Sequence, residues 1–209
     1  MKKYVAEFIG TFFLMTTIGN VVLNPGGAGD MAPLAIGAAL MAMIFANGHV
    51  SGAHFNPAVT LAVWLRGRCP TSDVPGYIIS QLAGATLAAF AVMFLKGAGA
   101  EKPIEPDVAK AFVAEFLYTF ALAYVVLNVA TAKATSGNSF YGLAIGFTVL
   151  AGAYSVGSIS GGAFNPAVAL GITILGISKV ANIWIYLVAN LAAGAVAGVV
   201  FKQLNPEDV

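Results

Sequence analysis

Charge is scarce in this sequence: Asp, Glu, Lys and Arg make up 9% of its 209 residues, against roughly a quarter in soluble globular domains. The formal balance is +1 and no basic stripe is present, which argues against nucleic acid as a partner. Cysteine is limited to Cys69, so an internal disulfide and a thiolate metal cluster are both excluded. Of the two histidines, His49 and His54, neither has a third ligand in view, and no metal site is expected. The segment Gly157-Ser-Ile-Ser-Gly161 has no histidine downstream of it, which removes the case for a serine hydrolase. No cofactor is called for, and the chain does not read as an enzyme.

What is abundant is apolar sequence, at 59% with a mean hydropathy of +0.86. Six stretches reach the length of about 20 residues that a bilayer core demands. They run roughly Tyr4–Leu23, Pro33–Val50, Pro75–Leu95, Val108–Ala130, Phe140–Val156 and Ala181–Lys202. The first follows Lys2 and Lys3 but contains Glu7 and exceeds a signal-peptide apolar core, so it reads as a mature span. Two further apolar segments, Pro57–Leu65 and Pro166–Leu175, are too short to cross and read as re-entrant half-helices. The expected fold is an all-α membrane protein of six spans and two half-helices.

The halves repeat. Val5-Ala-Glu-Phe-Ile-Gly-Thr-Phe12 returns as Val113-Ala-Glu-Phe-Leu-Tyr-Thr-Phe120, and Ser51-Gly-Ala-His-Phe-Asn-Pro-Ala-Val-Thr-Leu61 as Ser160-Gly-Gly-Ala-Phe-Asn-Pro-Ala-Val-Ala-Leu170. Gln81-Leu-Ala-Gly-Ala-Thr-Leu-Ala88 returns as Asn190-Leu-Ala-Ala-Gly-Ala-Val-Ala197. One domain over 1–209 is expected, with repeat 1 at about 1–96, a connector at about 97–107 and repeat 2 at about 108–209. Three spans per repeat is an odd number, so the second half starts on the opposite face and the repeat is inverted. An inside N-terminus places Lys2, Lys3, Arg66, Arg68, Lys133 and Lys202 in the cytoplasm against Lys96, Lys102, Lys110 and Lys179 outside. Both termini are then cytoplasmic. The spacings Gly84-x-x-x-Ala88, Gly142-x-x-x-Gly146 and Gly194-x-x-x-Gly198 predict close helix crossings.

Asn56-Pro57-Ala58 and Asn165-Pro166-Ala167 each announce a helix start, because Asn is a favoured N-cap and Pro a favoured first helical residue. The stretches before them, with Gly48, Ser51 and Gly52 in one and Gly157, Ser158, Ser160, Gly161 and Gly162 in the other, read as extended. Irregular backbone at membrane depth is tolerated only inside protein or along a wet cavity, so these stretches should line a pore. Inversion makes the two half-helices meet N-terminus to N-terminus near the midplane, with their positive dipole ends converging. A cation is opposed there, while a neutral dipole can accept hydrogen bonds from the Asn56 and Asn165 amides. An ion-coupled secondary transporter is the rival class, since inverted repeats also build carriers. The in-membrane charges are only the symmetric pair Glu7 and Glu115, which disfavours an ion site.

With its paired Asn-Pro-Ala boxes, the run Ser51–Thr60, and Glu-Phe-x-x-Thr in the first and fourth spans, the whole chain resembles the aquaporins, or major intrinsic proteins. The resemblance implies an hourglass pore in each monomer, usually within a homotetramer, carrying water or a small neutral solute across a lipid bilayer. For Glu7 and Glu115, a proton relay is one reading. The repeat symmetry and the resemblance favour carboxylates that hold the re-entrant loops, and His54 is read the same way, bonding loop backbone.

Most aquaporins follow the second box with an arginine of the outer constriction; Val168 stands there. By spacing from the boxes, the other constriction positions fall at Ile36, Ala153 and Gly162, with the bulky Tyr154 one residue beyond Ala153. The ring is apolar and wide. The acidic residue that glycerol facilitators carry next is also missing. A valine at this position resembles plant tonoplast proteins of broad substrate range, whereas the short loops and chain length suggest the cytoplasmic membrane of a prokaryote. Water, ammonia, urea, hydrogen peroxide and neutral metalloid acids all remain open.

Overall fold

The computed structural model describes residues 1–23 and 28–208. Residues 24–27 of the first repeat, and Val209 at the nominal end of the second, lie outside the described residues. Among the described residues, six helices are long and apolar enough to cross a membrane and two are short: α1 Lys2–Val22, α2 Ala32–Ser51, α3 Pro57–Leu65, α4 Val74–Lys96, α5 Val108–Val126, α6 Tyr141–Ser160, α7 Pro166–Ile174 and α8 Ile183–Leu204. The sequence and the structure differ at the ends of α2 and α6. Both helices run through the Gly- and Ser-rich stretches expected to be extended, to Ser51 and Ser160. In lipid a helix satisfies its own backbone, so isolated Gly and Ser residues do not end one. What ends them is a left-handed glycine just past the last turn: Gly52 at φ +84°, its N–H donating to the Gly48 carbonyl, and Gly161 at φ +94°, bonding Gly157.

Packing follows the repeat. α1 lies on α4 and α2, α5 lies on α8 and α6, and α2 meets α6 across the two-fold axis. The half-helices exchange partners, α3 packing on α8 of the second repeat and α7 on α4 of the first. Glycine permits the closest of these approaches: a Cβ on Gly194 would stand 2.3 Å from the Ala58 carbonyl oxygen, and one on Gly84 would stand 2.6 Å from that of Phe8. On the face carrying both termini, termed the inner face, Arg66 is 2% exposed at the C-cap of α3. It donates to the Thr131 side chain and carbonyl and to the Asp208 carboxylate and carbonyl, and lies over the Phe201 ring. The Lys133 backbone amide and then the Arg66 guanidinium hold the Asp208 carboxyl below the usual carboxylate range.

Candidate functional site

Each box begins its half-helix as the residue types require. Asn56 Oδ1 accepts from the Ala58 amide at 2.8 Å, Asn165 Oδ1 accepts from the Ala167 amide at 2.9 Å, and Pro57 and Pro166 take the first helical positions. The amide nitrogens then reach across the two-fold axis. Asn56 Nδ2 donates to the Phe164 carbonyl at 2.9 Å and Asn165 Nδ2 to the Phe55 carbonyl at 2.8 Å. An amide NH2 has two hydrogens, so one from each Asn is committed to this crossed pair and one is left for a solute. The N-terminal ends of α3 and α7 are therefore held against each other by this pair.

The five-residue loops entering the boxes are not extended strands. Gly52, Ala53 and Phe55, and likewise Gly161, Gly162 and Phe164, have positive φ, between 48° and 94°. Such left-handed turns gather successive amides into a concave cradle for an anion. Glu7 fills the first: its carboxylate accepts from the amides of His54 at 2.9 Å and Phe55 at 2.7 Å, from Ser51 Oγ at 2.7 Å and from Gln81 Nε2 at 2.8 Å. Glu115 fills the second, accepting from the amides of Ala163 and Phe164 and from Ser160 Oγ. Both carboxylates are fully buried, and neither borders either of the two cavities described below. Tyr77 and Tyr186 repeat the symmetry by donating to the Ser51 and Ser160 carbonyls.

His54 does not act through its ring on the loop backbone; Nδ1 lies 3.2 Å from Thr60 Oγ1. The Thr60 hydroxyl hydrogen goes to the Asn56 carbonyl, so Thr60 accepts and His54 Nδ1 is the donor. When the ring is neutral, Nε2 is then its unprotonated nitrogen.

Two cavities follow the axis of the molecule. The outer one, about 250 Å³, is bordered by all four ring positions Ile36, Ala153, Gly162 and Val168 together with the side chains of Asn56 and Asn165. Tyr154 is turned away from it and is half-exposed on the outside of α6. Pro57, Ala58, Pro166 and Ala167 are buried against the helices and border neither cavity. The inner cavity, about 910 Å³, is more polar and bordered by Arg68, Lys133 and Asn138. Sequence reasoning missed Ile104, a connector residue that borders the outer cavity and packs on Gly161. Its amide donates to the Ile177 carbonyl, which pins the connector to the outer end of α7. A connector has no periodicity to announce such a contact.

The model of the major intrinsic proteins matches residues 1–201. This chain belongs to that family. Aquaporin NIP1-1 of Oryza sativa subsp. japonica is 40% identical over 208 residues, covering 95% of this chain and 72% of the relative. Aquaporin NIP1-1 of Arabidopsis thaliana is 38% identical, covering 95% and 71%. A solved structure, the aquaglyceroporin from Plasmodium falciparum, superposes with a TM-score of 0.77 at 24% identity over 98% of this chain and 94% of that one, and shows the shared fold. As a major intrinsic protein, the chain is an integral membrane protein and a passive channel for water and small uncharged solutes, not an enzyme.

Proposed function

We propose that this aquaporin passes water together with at least one larger neutral solute, such as urea or a neutral metalloid acid, and that its outer ring selects little by hydrogen bonding. The observation that carries this is the ring itself: Ile36, Ala153, Gly162 and Val168 all border the outer cavity and offer no side-chain donor or acceptor. Beside the ring, the polar contacts for a solute are the free amide hydrogens of Asn56 and Asn165 and the loop carbonyls. A solute thus meets few geometric demands, and its size becomes the main criterion. Stopped-flow measurements on proteoliposomes should find protein-dependent permeability to water and to urea. Water alone, with every larger solute excluded, would overturn the proposal.

Protons and cations are excluded on this reading even without an arginine, because the N-terminal ends of α3 and α7 oppose positive charge where the crossed asparagine pair holds them together. Vesicles loaded with a pH-sensitive dye should show no proton leak that grows with protein content. A leak in proportion to protein would mean that Val168 has cost the pore its main barrier.

The same reading takes the chain as one subunit of a homotetramer with both termini cytoplasmic, in the cytoplasmic membrane of a prokaryote. Orientation is supported by the excess of basic residues on the inner face. The tetramer is supported by family membership, and the source by the short loops.

A further inference from the structure

Resting on that reading of a wide outer ring, we infer that the size cutoff of this channel is set on the inner side of the asparagine pair, at a neck formed by Ile44, His54, Val126 and Ile145. These four side chains border both cavities, so they stand where one passes into the other. Repeat symmetry supplies an independent reason. The mates of outer-ring Ile36, Ala153, Gly162 and Val168 are Ile145, Ile44, Ala53 and Val59, and all eight border the outer cavity. The backbones of the two levels are related by the two-fold axis, so the side chains decide which is narrower. Ile145 and Val59 match their mates. Ile44 and Ala53 exceed theirs, and His54 stands where the second repeat has Ala163. Only Val126, opposite Ile18 in the repeat, is smaller, by one methylene.

The neck also carries a ring nitrogen, that of His54. His54 is fixed by its bond to Thr60 and by packing at a tilt of 50° against Tyr77, with centroids 4.9 Å apart, and with Nδ1 donating to Thr60 the neutral ring offers Nε2 as an acceptor. Against three aliphatic side chains, a solute bearing N–H or O–H groups finds one bond there. The neck therefore sorts by cross-section and favours donors among solutes of equal size.

The test is a ladder of neutral solutes of rising size, formamide, urea, glycerol and erythritol, measured with water in the same proteoliposomes. Ile44→Ala and His54→Ala each install the residue that the other repeat carries at the mated position, so both should fold. Each is expected to raise the permeability ratio of the largest wild-type solute to water by about threefold or more, and Ile44→Ala to admit the next solute on the ladder. Ile36→Ala and Ala153→Gly, which widen the outer ring, should change that ratio by less than about twofold. The inference is overturned if the outer-ring variants move the cutoff and the neck variants do not. Its failure is separate from failure of the broader proposal, which is read from the wild type alone: a strictly water-selective wild type whose Ile44→Ala variant admits urea would refute the one and support the other.

Discussion

Val168→Arg is expected to lower urea permeability by about tenfold or more while lowering water permeability only about two- to threefold. Val168 lies in the first turn of α7, is 2% exposed, and borders the outer cavity together with Gly162, Ala153 and Ile36. Its ring neighbours are small enough that an arginine can enter the lumen without displacing the packing of α7. There it would contribute a fixed charge and a planar set of donors where the wild type has methyl groups. Water can exchange its bonds for those of a guanidinium and slip past. Urea, being larger, must compete with the side chain for the same cross-section. The measurement is paired osmotic and solute permeability, normalised to reconstituted protein. Equal losses for both solutes would mean that the substitution merely plugs the pore, and no loss would place Val168 off the solute path.

Glu7→Ala should be the most damaging single change to the fold, costing about 4 kcal/mol or more, at one to three kcal/mol for each of the four donors left without its carboxylate partner. That is a large share of the stability of an ordinary domain. Two of the stranded donors are the backbone amides of His54 and Phe55, the latter held in a left-handed conformation at φ +49°. Glu7→Gln keeps one acceptor oxygen and turns its NH2 toward another donor, so it should lose about half as much. Thermal unfolding in detergent, with the monodisperse fraction by size exclusion, separates these cases. An unfolding midpoint for Glu7→Ala within a few degrees of wild type would show that the carboxylate does not hold the loop.

Much of this was legible in the residues. Asn-Pro pairs fix a helix start by cap chemistry and proline's missing N–H, and α3 begins and ends where the apolar segment Pro57–Leu65 does. Spans were legible because lipid demands unbroken apolar length. Their ends were less so: nothing in Ser-Gly-Ala-His distinguishes an extended approach from a helix that persists to Ser51 and then turns through Gly52. Long-range side-chain partnerships were legible only through the repeat, which pointed to Glu7 and Glu115 together. Arg66, which the sequence places among the cytoplasmic cations, is nearly fully buried, and its partners Thr131 and Asp208, 65 and 142 residues away, could not be read from it. Ile104 had neither repeat nor period to mark it.

The crossed asparagine bonds have a consequence for how the molecule is made. They join residues 108 and 110 positions apart, and the half-helices settle on spanning helices of the opposite repeat. When repeat 1 has left the ribosome, its α3 has no α8 to rest on and Asn56 no carbonyl to meet. Each half is thus an unfinished folding unit whose interior is completed only by a partner threaded through the bilayer in the opposite sense. Assembly is governed by contacts of long sequence separation, which close late and slowly. A lesion in the last span should therefore endanger the first half-helix as much as its own neighbourhood, and quality control in the membrane would find repeat 1 exposed whenever repeat 2 fails to insert.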